Sequence, residues 1–415
     1  MRVFKFGGAS VKDAAGIKNV VKVLEEVGHA DTILVVSAMG KTTNAMEAVV
    51  DAYFKDKNKI SSTIQDIVVY HQDILKDLFP NTQHQVYKDV KTLVDEVTGF
   101  LAWNKSPNYN FVYDQVVGYG ELISTTIISA YLKEIGIKNQ WLDVRNFIKT
   151  DNAYRDTTVS WEKTQENIAK INRGILNITQ GFLGSDDNNF TTTLGREGSD
   201  YTAAILAYCL NADSVTIWKD VPGVLNADPR YFKETQLLNN ISYREAIELA
   251  FYGASVIHPK TLQPLQRKEI PLHVKSFINP KNKGTTVGKG VGIEPKVPCF
   301  IVKKNQVLMK LSSLDFSFIV EDSISALFKL FHEHKMKVDL IQNSAISFSV
   351  CVDNKFGGLE PLLNQLKSKF KVVHHEDVSL YTIRHFDSKS IESLQNGYEI
   401  LLEQRGKETV QLVVK

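Results

Sequence analysis

The feature that most constrains the fold is an alternation repeated over the first 280 residues: a short apolar run, a glycine- or hydroxyl-rich turn, then a helical pattern. Val3-Phe4-Lys5-Phe6 leads into Gly7-Gly8 and a helix predicted from about Val11 to Val27. Thr32-Ile33-Leu34-Val35-Val36 opens the next unit, and 215–218 and 270–274 are later strands of the set. Apolar runs separated by helices are strands buried on both faces, so the pattern predicts an α/β fold with a largely parallel sheet between helical layers. Residues 61–104 interrupt it. Ile64, Ile67, Val68, His71, Leu75 and Leu78 recur at helical spacing and predict a helical insertion. His71 lies on the apolar stripe, where a packed or hydrogen-bonded histidine is expected rather than a ligand.

At 415 residues the chain is long enough for two or three domains. The texture changes at 281–300, where Gly284, Gly288, Gly290, Gly292, Pro295 and Pro298 stand among lysines, a linker composition. Beyond it, 301–377 reads as a βαββαβ unit. Residues 378–415 read as a shorter strand–helix–strand, its helix expected over 390–405.

Several function classes are excluded early. Lys and Arg number 49 against 47 Asp and Glu, and a net charge of +2 gives no broad footprint for nucleic acid. No apolar run reaches the roughly 20 residues of a membrane span. Cys209, Cys299 and Cys351 lie far apart with no CxxC spacing, so neither a disulfide framework nor a zinc site is expected. The first residues enter a strand without a signal-peptide pattern, which predicts a cytoplasmic location.

The chemistry concentrates in turns after strands, the edge where open α/β sheets bind ligands. Two candidates fail. Ser37–Thr42 resembles the end of a P-loop, but Val35 stands where that motif needs glycine; Gly118-Tyr119-Gly120 lacks the third glycine of a dinucleotide fingerprint. In Lys5-Phe6-Gly7-Gly8-Ala9-Ser10, the glycines let backbone N–H groups approach phosphate oxygens. Lys5 reads either as a charge on a transferring phosphoryl group or as a solvated lysine beside a tight turn. Glu121 opens a helix, as an amine ligand or as a first-turn acid favoured by the helix dipole. The densest turn is 191–203: Arg196 offers a fork for a carboxylate, Ser199 and the helix start add donors, and Asp200 adds an anion. An N-cap needs only one such residue. The loop from Lys219 and Asp220 to Arg230 suits a nucleotide or an ordinary surface.

These residues, in this order, resemble the aspartate kinases. The match runs through KFGGAS at 5–10, VVSAMGKTTN at 35–44, GYGELIST at 118–125, TTLGREGSDYTA at 192–203, WKDVPGVLNADPR at 218–230 and SYREAIELAFYGASVIHP at 242–259. The resemblance covers residues 1 to about 287. It implies the amino acid kinase fold, an open, mostly parallel eight-stranded αβα sandwich over 1–280, and transfer of the γ-phosphoryl group of ATP, with Mg²⁺, to the β-carboxylate of L-aspartate. Lys5 would stabilise the transferring group with Gly7, Gly8 and Ser10, and Asp200 would orient Lys5. Thr43, Glu121, Arg196 and Ser199 would hold aspartate. Lys219, Asp220, Leu225, Arg230, Ser255 and Val256 would line the ATP site, and no protein-bound metal is implied. Residues 301–377 resemble one ACT regulatory domain and 378–415 a shortened second, implying a homodimer or larger homo-oligomer and lysine or threonine as effector. No homoserine dehydrogenase domain follows residue 415, which implies a monofunctional enzyme. The chain departs from the family at Ala9, usually Thr, at Glu197, usually Gly, and at Leu225 and Ser255, where some members carry Tyr and Lys. Two competing readings are a kinase of the same fold acting on another small carboxylate, and a ligand-binding regulator derived from one.

Overall fold

A strand buried on both faces must find apolar cover on each side, and the β-branched runs near the N-terminus do so. The computed structural model describes residues 1–254, 257–290, 292–315, 317–395 and 397–415. The chain divides into two units. One comprises Met1–Val224, Leu237–Ile247 and Ile257–Ile293; the other comprises Leu225–Gln236, Glu248–Val256 and Glu294–Lys415.

The main sheet has nine strands among the described residues, in the order Ile293–Glu294, Asn240–Ser242, Thr285–Gly288, Leu272–Ser276, Ser214–Lys219, Arg2–Phe6, Thr32–Val36, Leu176–Gln180 and Asn139–Leu142. From Asn139–Leu142 through Leu272–Ser276 every pairing is parallel, and Thr285–Gly288 runs antiparallel to Leu272–Ser276. The ninth strand beyond the expected eight is the two-residue Ile293–Glu294 at one edge. Residues of Thr32–Val36 and Leu176–Gln180 are all buried, as central parallel strands should be.

The helix expected from Val11 starts later. A 3₁₀ turn, Gly8–Val11, comes first, and the α-helix Ala14–Val27 begins where Asp13 caps it by accepting from Gly16 N at 2.7 Å. Ile17, Val20, Val21 and Leu24 form its buried stripe. The insertion is two helices, Ile60–Leu78 and Gln85–Trp103, whose stripes join the same core. His71 is buried there, its Nδ1 2.8 Å from Ile67 O. None of the helices among the described residues is long and apolar enough to cross a membrane.

The second unit is built on a six-stranded sheet ordered Lys337–Asn343, Ser347–Asp353, Cys299–Ser313, Phe370–Arg384, Thr409–Val414 and Ile400–Arg405. Its two 15-residue strands run through both halves, so 299–303 pairs with 380–384 while 308–313 pairs with 370–375. The helices Glu321–Glu333 and Leu359–Lys367 cover one half through Leu327, Phe331, Leu362 and Leu366. The helix Ser388–Gln395 covers the other through Ile391 and Leu394. The expected helix over 390–405 is corrected here: it stops at Gln395, and Ile400–Arg405 forms a hairpin with Thr409–Val414. Leu401 and Leu402 pack against the sheet core, a tertiary reward that outweighs their helix propensity.

Lys303 Nζ lies 2.7 Å from Asp339 Oδ1 in this sheet, with both side chains largely buried. Asp339→Ala would strand the ammonium. It should cost the second unit about 3 kcal/mol, the penalty for breaking a buried pair, while Lys337→Ala, which removes the exposed partner, should cost under about 1 kcal/mol. Urea denaturation of both variants checks this; equal small losses would mean water already serves Lys303.

Candidate active site

The Arg2–Phe6 strand lies between Ser214–Lys219 and Thr32–Val36, in the middle of the parallel sheet. Its alternation sends Phe4 and Phe6 into one apolar layer and Lys5 to the opposite face. There Lys5 Nζ meets Asp200 Oδ1 at 2.6 Å, with the side chains only 12% and 6% exposed. Asp200 sits in the first turn of the helix Gly198–Leu210, where the helix dipole favours a carboxylate. The ion pair therefore joins a strand end to a helix start.

Two turns close over this end. Gly40 N donates to Gly8 O at 3.0 Å, and a Cβ on Gly8 would stand 2.7 Å from Ala38 O, so only glycine admits the approach. Ser10 is buried in the first turn, its amide donating to Gly7 O at 2.9 Å. Glu121, in the first turn of the helix Tyr119–Glu134, is buried. Its Oε1 accepts from Ala38 N at 3.3 Å, while Oε2 has no hydrogen-bond partner. Burial pushes its pKa up to about 8. A buried carboxylate with one unfilled oxygen is a receptor for a cationic donor. Thr43 is half-buried in the helix Thr42–Lys55, which starts from the second turn.

Ser199 lies at the same edge. Gly181 N donates to Val36 O at 3.1 Å, and a Cβ on Gly181 would come within 2.4 Å of Ser199 Cβ. Arg196 is exposed and, among the described residues, has no ion-pair or hydrogen-bond partner. Glu197 occupies the left-handed region at φ 54°, and its Oε2 accepts from His258 N at 3.0 Å. Its carboxylate is thus committed to the chain beside the helix Pro259–Arg267.

Lys5, Gly7, Gly8, Asp200 and Glu121 are accordingly joined through the two turns, with Ser199 packed at the neighbouring strand end. The expected nucleotide residues are more scattered. Lys219 is half-buried and Asp220 exposed in the first unit. Leu225 and Arg230 belong to the second unit, where Arg230 grips Asp228 at 2.6 to 3.0 Å. Ser255 and Val256 lie outside the described residues. Among the described residues, no group of three His, Cys, Asp or Glu side chains could hold a metal ion.

Three supporting residues carry no strong signal in the sequence. Tyr70, from the insertion, donates its hydroxyl to Lys12 O and lies against Gly40, bracing both glycine turns. His71 beside it has Nε2 3.5 Å from Thr42 Oγ1, and burial pushes its pKa down to about 4. Asp114 is fully buried and accepts from Arg155 N, Thr193 N and Thr193 Oγ1, at 2.7 to 3.1 Å, holding the strand that precedes Arg196. Gly181 was findable: like Gly7, it directly follows a strand of the parallel sheet.

A family model described as the amino acid kinase family matches residues 1–276. Lysine-sensitive aspartokinase 3 of Escherichia coli is 32% identical over 354 residues, spanning 83% of this chain and 76% of that protein. The chloroplastic bifunctional aspartokinase/homoserine dehydrogenase 2 of Arabidopsis thaliana is 31% identical over 69% of this chain, but the match spans only 32% of its own length. Two structures of E. coli aspartokinase III align with all of this chain and 96% of theirs. The complex with lysine and aspartate has TM-score 0.83 at 28% identity, and the complex with aspartate and ADP has 0.80 at 29%.

The contact between Gly181 and Ser199 makes a direct test of how this edge is built. Gly181→Ala forces the Ser199 backbone and the helix start to move, and should destabilise the chain by about 1–3 kcal/mol, the usual cost of overpacking. Urea denaturation checks it; an unchanged midpoint would mean the two segments are not in contact.

Proposed function

The chain belongs to the amino acid kinase family and, within it, to the aspartokinases, and on that premise we propose that it transfers the γ-phosphoryl group of ATP to the β-carboxylate of L-aspartate. The product is 4-phospho-L-aspartate, the first step toward lysine, threonine and methionine. The observation that carries this reading is the Lys5–Asp200 ion pair at 2.6 Å beneath the paired glycine turns.

Phosphoryl transfer needs positioning and charge stabilisation rather than a protein nucleophile, because the substrate carboxylate attacks. Lys5 supplies positive charge to the transferring group, and Asp200 holds the ammonium in place. Gly7, Gly8 and the turn closed by Ser10 let backbone N–H groups approach the phosphates. The unfilled oxygen of Glu121 takes the α-ammonium of aspartate. Arg196, exposed and unpaired, takes a carboxylate, with Ser199 and Thr43 as hydroxyl donors. Lys219, Asp220, Leu225, Arg230, Ser255 and Val256 are the proposed nucleotide contacts, Arg230 exchanging Asp228 for a phosphate. Mg²⁺ comes with the nucleotide, held mainly by its phosphates, with exposed Asp220 the carboxylate nearest in sequence to that site.

The wider reading has a catalytic domain at 1–280, a linker at 281–300 and ACT-like regions at 301–377 and 378–415 that respond to lysine or threonine and mediate a homodimer or larger assembly in the cytoplasm. Its support is the six-stranded sheet with helices on both halves. The loop before the helix Glu321–Glu333 lacks the glycine that would let backbone approach an amino acid, so effector response is tested directly.

The deciding assay is ADP release from Mg·ATP with L-aspartate, compared with L-glutamate, N-acetylglutamate and UMP, each with and without lysine or threonine. Turnover dependent on aspartate alone is expected; turnover with another acceptor would reassign the substrate. Lys5→Ala should lower kcat by about 3–4 kcal/mol in barrier, roughly a few hundredfold or more, in a folded protein, and near-normal turnover would refute its role. Glu121 makes a second prediction. With its pKa pushed up to about 8, it is mainly the neutral acid at pH 7. An ammonium against it favours the carboxylate, so aspartate binding should release about one proton at pH 7 and almost none near pH 9. Calorimetry in phosphate and Tris buffers reads this; a buffer-independent enthalpy at pH 7 would remove Glu121 as the amine's partner.

A further inference from the structure

One face of the first unit's sheet is packed with apolar core at Phe4 and Trp218 and carries a recess beside them. Pairing register aligns Arg2 with Ser214, Phe4 with Thr216, Thr216 with His273, His273 with Thr286, and Trp218 with Lys275. Residues paired across strands point to the same face, so these side chains form one continuous grid. The alternate positions, Val215, Ile217, Leu272 and Val274, are fully buried and apolar. The strands Ser214–Lys219 and Leu272–Ser276 therefore pack these apolar residues on one side, and on the other place Ser214, Thr216, His273 and Lys275 around the buried Trp218. A recess of about 400 Å³ lies on this second side, with Val27 and Lys283 at its margins.

Its charge is one-sided. Arg2, Lys275 and Lys283 line it with positive charge, beside His273, whose pKa is lowered by burial and by Lys275 so that the neutral ring is favoured, and no carboxylate lines it among the described residues. Arg2 is held by Val27 O at 3.1 Å and Gly28 O at 2.8 Å, so its guanidinium is fixed in place. Lys275 lies 5.6 Å from the Trp218 ring and has no ion-pair partner among the described residues, and burial lowers its pKa. Lys283 is exposed and also has no ion-pair partner among the described residues. His273 is held by Thr286 Oγ1 at 3.1 Å. A partly buried ammonium without a counter-ion is unfavourable, and an anion in the recess would relieve it. Lysine charges beside serine and threonine hydroxyls suit the several oxygens of a phosphate better than a single carboxylate.

We propose that this recess binds a small phosphate-class anion, held by Lys275 and Lys283 with Arg2 behind them and the Ser214 and Thr216 hydroxyls as donors. The site lies on the reverse of the strand that carries Lys5, since Phe4 lines the recess and Lys5 reaches Asp200 on the opposite face. It is separate from the proposed phosphoryl-transfer site and does not depend on that reading.

Pyrophosphate is the probe, titrated calorimetrically into the full-length chain at constant ionic strength. Saturable binding is expected in the parent chain and in Lys5→Ala. It should weaken at least tenfold in Lys275→Gln and in Lys283→Gln; Lys283 is exposed, so its variant keeps the fold. Absence of saturable binding in the parent chain, its loss in Lys5→Ala alone, or undiminished binding in both lysine variants would overturn the proposal. So would a change of sedimentation coefficient in Lys275→Gln without pyrophosphate binding by the parent, which would assign the recess to a second copy of the chain.

Discussion

The ion pair between Lys5 and Asp200 is the point on which the rest of the site depends. It lies where the middle strand of a parallel sheet ends and the helix Gly198–Leu210 begins, so both partners are set by backbone rather than by flexible loops. A lysine side chain has four rotatable bonds and would wander if unpaired. Asp200 removes that freedom while leaving the ammonium partly accessible, and in the proposed reaction an ammonium fixed before the nucleotide arrives needs little reorganisation during transfer. The close approach of the glycine turns follows from the same arrangement. Gly8 packs against Ala38 O and Gly40 O because the strand end brings both turns to one edge, and Tyr70 of the insertion closes over them.

The two carboxylates of the edge have different surroundings. Asp200 meets Lys5 at a helix start. Glu121 meets one backbone N–H and a buried apolar layer, so burial dominates and its pKa rises. One holds a permanent cation of the chain, and the other is left incomplete until a cation is supplied. Both are acidic residues in the first turn of a helix, and in the proposed reaction that difference makes Asp200 the organiser of the site and Glu121 the receptor for substrate.

Much of this was legible in the sequence because it rests on local rules. Buried β-branched runs announce central strands, and glycine with hydroxyl residues after such a run announces a ligand-binding turn. The first rule holds at Thr32–Val36, and the second marks the turns at Lys5–Ser10 and 192–203 that the proposed function uses. The failures are tertiary. Ile293–Glu294 is a strand only because a neighbouring edge accepts it. The segment 400–405 carries residues acceptable in a helix, and its pairing with Thr409–Val414 decides otherwise. Tyr70 and His71 stand side by side on one helix, and nothing local shows that one braces the glycine turns. The polar alternation of Ser214, Thr216, His273 and Lys275 is readable residue by residue, but only strand order brings it together on one face.

Glu197 shows how a departure from a family pattern can be absorbed. A non-glycine residue in the left-handed region costs roughly 1–2 kcal/mol. A carboxylate accepting a backbone N–H recovers a comparable amount, about 1.5 kcal/mol where the bond is exposed and at the low end of the charged range. Glu197 does both, at φ 54° with Oε2 3.0 Å from His258 N. The strain and the bond nearly offset, so the turn keeps the conformation that glycine would give it. The same bond directs the added negative charge to the start of the helix Pro259–Arg267, where the dipole receives it. Aimed instead at Lys5, that charge would compete with the phosphates for the ammonium. The contact with His258, distant in sequence, is what makes this substitution compatible with phosphoryl transfer.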